Sequence, residues 1–206
     1  MQDESGDVVI KWQPDNCEAS LAAEAKRLTW LRGRFPVPEL VEHRVLDGSA
    51  LLVTKALPAL SAVDPAWRVR AVEATRAIAE GLRRLHALDA ADCPFDCSAE
   101  TRIRIALGRG KPVPRQLRTP PPVDRLVVCH GDACAPNTLV ADDGSFAATV
   151  DVGALGVGDR WADLAVATMS LGWNFPTELE SVFWEAYGVD PDSERIRYYR
   201  ALWDAT

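Results

Sequence analysis

The sequence predicts an α+β fold in two parts, a small mixed lobe over residues 1–56 and a mainly helical lobe over residues 57–206. Three observations predict this arrangement. The first 55 or so residues have the pattern of a strand, a helix and two antiparallel strands. The composition then shifts at Leu57-Pro58, and most of the segments after it have helical periodicity. A chain of 206 residues is long enough for two small lobes that share a core.

The first part is predicted to begin with a strand over residues 7–12 and a helix from about residue 16 or 17 to residue 32. An edge strand over residues 36–41 and a hairpin of two strands, 41–46 and 50–54, are predicted to follow. Asn16 is the expected N-cap of the helix, and Gly33 is the expected stop. The edge strand follows a proline-rich turn. The Asp47-Gly48 pair is a typical hairpin turn, because both of its positions tolerate a positive φ.

The second part is predicted to contain a long helix over residues 65–88, a shorter helix over 98–107 and a loop with five prolines over 111–122. A buried strand over residues 126–129, a second hairpin over 138–150 and aromatic-rich helices over 159–206 are predicted to follow. The long helix carries one apolar stripe that includes Ile78, Leu82 and Leu85. His86 lies on that stripe and is interpreted as a core histidine.

Charge and cysteine content restrict the classes of partner. Lys and Arg number 23 against 30 Asp and Glu, which gives a net charge of −7. This balance argues against nucleic-acid binding and suits a cationic partner. No apolar run could span a bilayer, and the start is polar and acidic. The spacing of Cys93, Cys97, Cys129, His130 and Cys134 matches no common zinc motif. We therefore expect a cytoplasmic monomer with reduced thiols and no membrane contact.

The densest chemical signal lies in residues 127–137 and continues at Asp151. Asp132 and Asn137 follow a buried strand, and Asp151 follows the next hairpin, which folds the three side chains together. One carboxylate could accept a proton from a hydroxyl, and the Asn with the second carboxylate could hold Mg²⁺. Each residue alone is more simply a loop or turn residue. Together they match the D-x-x-x-x-N loop and the later metal-binding Asp of kinases.

A kinase-like site also needs a cation for the nucleotide phosphates. Lys11 lies in an apolar strand, where a lysine is unfavourable unless its charge is used or the strand is at an edge. Glu24 lies on the apolar stripe of the following helix and needs a cationic partner, for which Lys11 is the obvious candidate. The alternative is a solvated edge lysine with a glutamate at the margin of the stripe.

Several segments together resemble the aminoglycoside phosphotransferases, which are antibiotic-modifying kinases with a protein-kinase-like two-lobe fold. These are residues 129–137 (CHGDACAPN), 151–165 (DVGALGVGDRWADLA), 82–89 (LRRLHALD), 93–96 and 24–31. The similarity runs from about Lys11 to near the C-terminus and is closest to members that act on 3′ and 3″ hydroxyls.

The resemblance implies a role for each residue of the site. Asp132 would orient and help deprotonate the acceptor hydroxyl. Asn137 and Asp151 would hold Mg²⁺. Lys11 would contact the α- and β-phosphates of ATP or GTP, and Glu24 would position it.

The resemblance also implies supporting residues. His130 would brace the catalytic loop, and Asp163 would cap or pin the following helix. Asp159 and Arg160 would form an internal ion pair. Backbone groups near residues 54–57 would take the adenine.

The acceptor would be a polycationic aminoglycoside, so an acidic pocket is expected. The candidates are Asp159, Glu178, Glu180, Glu185 and Asp204. Only Asp204 resembles the acidic ending of the family, and the ending Trp203-Asp204-Ala-Thr departs from that pattern. Only ten residues precede Lys11, so the first hairpin and its phosphate-covering loop are expected to be missing, and the segment near residues 108–124 is also short.

The predicted function is ATP-dependent phosphoryl transfer to an aminoglycoside hydroxyl. The first alternative is a kinase of another small hydroxylated metabolite or antibiotic. The second alternative is a degenerate, non-catalytic nucleotide-binding module.

Overall fold

The structure of the chain is a computed structural model that describes residues 7–14, 20–176 and 178–206. The strands are β1 Val8–Pro14, β2 Leu40–Leu46, β3 Ser49–Lys55, β4 Leu60–Ser61, β5 Leu126–Cys129, β6 Thr138–Val140, β7 Phe146–Thr149 and β8 Gly156–Asp159. The helices are α1 Leu21–Leu31, α2 Pro65–Arg68, α3 Ala71–Leu85, α4 Ala99–Gly108, α5 Trp161–Asn174, α6 Glu180–Tyr187 and α7 Ser193–Ala205. The predicted α+β class is confirmed.

The first part is an antiparallel sheet of order β1-β3-β2 with α1 packed against it. The hairpin between β2 and β3 is confirmed, and Asp47 and Gly48 at its turn have φ values of 51° and 74°. Strand β2 begins only at Leu40, because Pro36 and Pro38 have no N–H for a ladder.

Helix α1 starts later than the sequence pattern indicates. Its N-cap is Ser20, whose hydroxyl oxygen accepts a hydrogen bond of 3.3 Å from the Ala23 N–H. The expected cap, Asn16, lies outside the described residues. The stop at Gly33 is confirmed, since the helix ends at Leu31 and Gly33 has a φ of 74°.

The prediction of one continuous helix over residues 65–88 is wrong. This segment forms two helices, α2 and α3, because Arg70 leaves the helical conformation at φ −112° and ψ 43°. The break buries Trp67, and the Arg70 guanidinium lies 4.4 Å from the centre of that indole ring. Burial of one large aromatic side chain thus outweighs the continuity of the helix.

The second part has two small sheets, β4-β6-β7 and β5-β8, surrounded by helices. The shorter helix and the second hairpin are confirmed as α4 and as β6 with β7. Strand β8 was not predicted. A Cβ on Gly156 would lie 2.8 Å from the Asp96 carbonyl carbon, so glycine permits close contact with the backbone before α4.

Helices α3 and α5 pack against the strands of the second part, α3 against β6 and β7 and α5 against β8. Helix α5 is buried over most of its length and packs against α7, while α3 packs against α6. Across the described ranges, no helix has both the length and the apolar character needed to cross a bilayer.

Candidate active site

The loop between β5 and β6 brings Asp132 and Asn137 into contact. Asn137 Nδ2 donates to the backbone oxygen of Asp132 at 2.9 Å and to its Oδ2 at 3.3 Å. A 3₁₀ turn at Ala135–Asn137 makes this return possible over a short stretch. Asp132 is half-buried and Asn137 is buried, so the amide holds a carboxylate that still faces solvent.

Asp151 is joined to the same loop by the backbone. The Val150 N–H donates to the Asn137 carbonyl oxygen at 2.9 Å. Asp151 then adopts the left-handed conformation with φ 57°, an uncommon state for a residue with a side chain. Its side chain is 48% exposed, which leaves it accessible to a ligand.

Asp132 and Asp151 line one cavity of about 560 Å³, the catalytic-loop cavity. The convergence of Asp132, Asn137 and Asp151 that the spacing predicts is therefore present in the fold.

His130 braces this arrangement, as predicted. Its Nδ1 accepts from the Asp132 N–H at 3.3 Å, so the proton lies on Nε2, which donates to the Val150 oxygen at 2.9 Å. The neutral imidazole thus links the catalytic loop to the segment that ends at Asp151.

Asp163 lies in the first turn of α5 and does not cap that helix, so the capping alternative is wrong, but its carboxylate pins the helix to the loop, as the other alternative predicts. Its carboxylate accepts the His130 N–H at 2.6 Å and the Gly131 N–H at 3.0 Å, and it contacts His86 Nε2 at 3.0 Å. Burial alone would raise the pKa of Asp163, but the hydrogen bonds from His86 and from the Gly131 N–H hold that pKa below its usual value. His86 lies in the core as predicted and orients this carboxylate.

Lys11 and Glu24 form the predicted ion pair. Lys11 Nζ donates to Glu24 Oε1 at 2.8 Å and to Oε2 at 3.0 Å, and it also pairs with Asp151. Burial alone would lower the pKa of Lys11, but the hydrogen bonds to Asp151 and Glu24 raise it above its usual value. The lysine is therefore a fixed positive charge beside the carboxylate that follows the second hairpin.

A second cavity of about 320 Å³, the strand-side cavity, lies between the first sheet and the second hairpin. Lys11, Glu24 and Asp151 line it, together with apolar side chains and the segment predicted to take the adenine: Val9, Leu28, Leu52, Leu139, Val150 and residues 54–57. The Ala56 N–H already donates to the Asp7 oxygen at 2.8 Å, so a base would use other backbone groups.

The charge of the catalytic-loop cavity is mixed, whereas the sequence led us to expect an acidic pocket. Four carboxylates and three guanidiniums line it: Glu24, Asp96, Asp132 and Asp151, with Arg27, Arg102 and Arg109. Arg102 donates to the Gly131 oxygen at 3.1 Å, and Arg27 donates to the Leu155 oxygen at 2.6 Å.

Asp159 has a structural place in the fold. It is 4% exposed, and its two carboxylate oxygens accept the backbone N–H groups of Trp161 and Asp124, each at 3.1 Å. Arg160 pairs with Asp124 at 2.6 Å, so the predicted Asp159–Arg160 ion pair is wrong. Burial raises the pKa of Asp159. Its side chain does not line the catalytic-loop cavity, so the structure gives no support to Asp159 as a contact for the acceptor.

Asp204 lies at a different surface. It lines a groove of about 730 Å³ between the proline-rich loop and α7, the outer groove. Thr206, two residues further on, lines the catalytic-loop cavity. The two spaces are thus neighbours along the end of α7, and contact of Asp204 with an acceptor stays a prediction.

The donor set near the catalytic loop fits Mg²⁺. Because Asn137 uses its amide nitrogen on Asp132, its Oδ1 is the amide atom able to bind a cation. Asp151 adds an exposed carboxylate, and oxygen ligands of this kind are those that Mg²⁺ prefers.

Sequence reasoning missed several residues at this site. Arg27, Asp96, Arg102 and Arg109 line the cavity, and the thiol of Cys134 contacts Asp132. The seven-residue spacing from Arg102 in α4 to Arg109 at its C-cap places both on one side of that helix, which is a signal that could have found this pair. The position of Cys134 in the loop, two residues after Asp132, could have found the thiol.

Fold and site together define a phosphotransferase of the kinase type, with an aspartate–asparagine contact and a lysine–glutamate pair between two parts of the chain. The sequence matches the Phosphotransferase enzyme family over residues 1–112 and 113–199. It is 37% identical to an aminoglycoside 3′-phosphotransferase of Streptomyces fradiae over 92% of this chain and 81% of that protein. The chain therefore belongs to this family, as the resemblance implied.

Solved structures agree with this assignment. An aminoglycoside-3′-phosphotransferase of type VIII matches with a TM-score of 0.81 and 30% identity over 97% of this chain and 85% of its own. The aminoglycoside phosphotransferase APH(3″)-Id of Streptomyces rimosus, in complex with ADP and streptomycin, matches with a TM-score of 0.76 and 28% identity over 97% and 86%. The protein-kinase-like two-lobe fold expected from the sequence is confirmed by these neighbours.

Proposed function

We propose that this protein transfers the γ-phosphate of ATP to a hydroxyl group of an aminoglycoside. The observation that carries the proposal is that Asp132, held by Asn137, shares a cavity with Asp151, to which Lys11 is paired. A proton acceptor, an oxygen-donor pair and a phosphate-binding cation are the parts that phosphoryl transfer requires.

Asp132 is proposed to orient the acceptor hydroxyl and to accept its proton as the new oxygen–phosphorus bond forms. The carboxylate is suited to this role because it is hydrogen-bonded on one side and still reaches the cavity. Such proton transfer contributes about 10²- to 10⁴-fold to a rate.

Lys11 is proposed to contact the α- and β-phosphates. Glu24 fixes the ammonium at the junction of the two cavities, which both include Glu24 and Asp151. The apolar strand-side cavity would take the base of the nucleotide, with Lys11 at its phosphate end.

Asn137 Oδ1 and the Asp151 carboxylate would hold Mg²⁺. The ion would neutralise charge on the phosphate oxygens during transfer. Asp151 is paired with Lys11 in this structure, so nucleotide binding would divide that pair between phosphate and cation.

The acceptor class rests on the relatives. One is named an aminoglycoside 3′-phosphotransferase, and another was solved with streptomycin. Asp132, Asp96 and Asp151 would receive an amine-rich acceptor, and Asp204 would contact an acceptor long enough to pass Thr206.

A second candidate is a kinase of a less basic hydroxylated molecule. The three arginines in the catalytic-loop cavity favour it, because they offset the carboxylates that would attract a polycation. The degenerate, non-catalytic alternative is less well supported, since the Asp132–Asn137 contact and the Lys11–Glu24 pair are both formed.

We further propose that residues 1–56 form the nucleotide-binding lobe and that residues 57–206 form the catalytic and acceptor lobe. We propose that the protein acts as a monomer in the cytoplasm, because ATP is available there.

The test is incubation of the protein with Mg-ATP and a panel of acceptors, followed by mass spectrometry of each acceptor. The panel includes aminoglycosides such as streptomycin and kanamycin, and hydroxylated molecules that carry no amino group. We expect one added phosphoryl group, lost in Asp132→Ala and retained in Asp190→Ala, an exposed aspartate remote from the cavity lining. Transfer to a non-aminoglycoside alone would support the second candidate. Absence of both transfer and Mg-ATP binding would contradict the proposal.

A further inference from the structure

The catalytic carboxylate has a second donor besides Asn137. The Cys134 thiol donates to Asp132 Oδ1 at 3.1 Å, while Asn137 Nδ2 donates to Oδ2 at 3.3 Å. Each carboxylate oxygen can accept about two hydrogen bonds, so each keeps capacity for a hydroxyl group. The two donors therefore fix the plane of the carboxylate without blocking it.

The thiol remains a donor over the physiological pH range. Burial raises the pKa of Cys134, the neighbouring Asp132 charge and the hydrogen bond to it raise it further, and the pKa reaches about 12. A thiol with such a pKa is neutral near pH 7 and is a poor nucleophile. Its chemical role next to Asp132 is hydrogen bonding.

The loop around Cys134 is anchored to α5. The Ala135 N–H donates to Ser170 Oγ at 2.9 Å, and Asn174 Nδ2 donates to the same oxygen at 3.1 Å. Ser170 is completely buried, so its hydroxyl lies in a fixed place beneath the loop. This anchor sets the backbone of the residue next to Cys134, and hence the direction from which the thiol approaches Asp132.

We propose that Cys134 is a positioning residue that orients the Asp132 carboxylate toward the acceptor hydroxyl. The inference rests on the proposed function, since it assigns Cys134 a role in the same proton acceptance. It predicts that the donor hydrogen matters, and that the sulfur atom itself does not.

Two variants separate donor loss from loss of packing. Cys134→Ala removes the donor, and we expect kcat to fall about tenfold, or ~1.4 kcal/mol, with KM for ATP unchanged. Cys134→Ser restores a hydroxyl donor, and we expect kcat within about threefold of the wild type. Cys93→Ala is the matched control, because its thiol donates to the Phe95 backbone oxygen at 3.9 Å and does not line the catalytic-loop cavity, so its kcat should be unchanged.

A spectroscopic readout tests the contact without turnover. The infrared S–H stretch of Cys134, assigned by its loss in Cys134→Ala, should move to higher frequency in Asp132→Ala, because the acceptor is gone. An unmoved band, a wild-type kcat in Cys134→Ala, or equal losses in the Ala and Ser variants would each overturn the inference. If the wild type phosphorylates no aminoglycoside, the proposed function fails, and the infrared shift still decides the contact.

Discussion

His86 and Asp163 form a hydrogen bond of 3.0 Å inside the core, where their side chains are 3% and 1% exposed. The same Asp163 carboxylate accepts the N–H groups of His130 and Gly131. His86 Nδ1 contacts the Tyr187 hydroxyl at 2.8 Å. A buried series of hydrogen bonds thus runs from α6 through the end of α3 and α5 to the loop that carries Asp132.

The Asp163 carboxylate makes the free energy of unfolding depend on pH in the acidic range. The folded-state pKa of Asp163 lies below its unfolded value of about 3.9, so the proton binds more weakly in the folded state. The stabilisation is therefore fully present above about pH 4 and is lost as pH falls through the folded pKa. We expect Asp163→Asn to lower the free energy of unfolding at pH 7 by about 3 kcal/mol and to flatten its decline below pH 4. Urea denaturation from pH 3 to 7 measures both, and parallel curves for the two proteins would contradict the assignment.

Lys11 and Glu24 should govern nucleotide affinity. Lys11→Ala removes the cation, and we expect KM for ATP to rise about tenfold. Glu24→Ala should have a smaller effect in the same direction, because Lys11 still pairs with Asp151. Lys26→Ala, an exposed lysine on α1, is the matched control and should leave KM for ATP unchanged. If Lys26→Ala raised KM for ATP as much as Lys11→Ala does, the overall positive charge of the protein, rather than the Lys11–Glu24 pair, would account for nucleotide binding.

Gly131 should tolerate no side chain. Its φ is 84°, and a Cβ would lie 2.3 Å from the Ala154 oxygen in the turn after Asp151. We expect Gly131→Ala to lower the free energy of unfolding by more than about 2 kcal/mol and to reduce turnover. Gly172→Ala in α5 has open space at the Cβ, so it should be neutral or stabilising by about 0.5–1 kcal/mol. Thermal denaturation of the pair checks the contrast, and equal effects would contradict it.

Asn137 should set the metal requirement. We expect EDTA to abolish turnover and added Mg²⁺ to restore it. Asn137→Ala loses the amide oxygen and the bond to Asp132, so half-maximal activity should need about tenfold more Mg²⁺. Asn174→Ala, whose amide nitrogen donates to Ser170 in α5, is the control and should keep the wild-type Mg²⁺ dependence. An Asn137→Ala titration curve that coincides with the wild type would remove Asn137 from the metal site.

The sequence was sufficient for features that depend on local spacing. The Asp47-Gly48 hairpin, the α+β class and the convergence of Asp132, Asn137 and Asp151 all follow from short-range patterns, and the structure contains them. The Lys11–Glu24 pair also followed, because an acid on a buried stripe needs a cation nearby.

Features that depend on distant neighbours could not be predicted in this way. Asp163 pairs with loop atoms that β5 brings beside α5, and Arg160 pairs with Asp124 rather than with the adjacent Asp159. The break at Arg70 follows from the burial of Trp67 in a core formed by later segments. These outcomes are decided by tertiary packing, which periodicity does not record.

The proposed phosphoryl transfer depends above all on Asp132, which we propose accepts the proton of the acceptor hydroxyl. The most direct measurement is the steady-state kinetics of Asp132→Asn with the aminoglycoside that the wild type phosphorylates. We expect kcat to fall by about 10²-fold or more, while KM for ATP stays within about twofold, because the nucleotide contacts are untouched. A variant that retains wild-type kcat would contradict the proposed role.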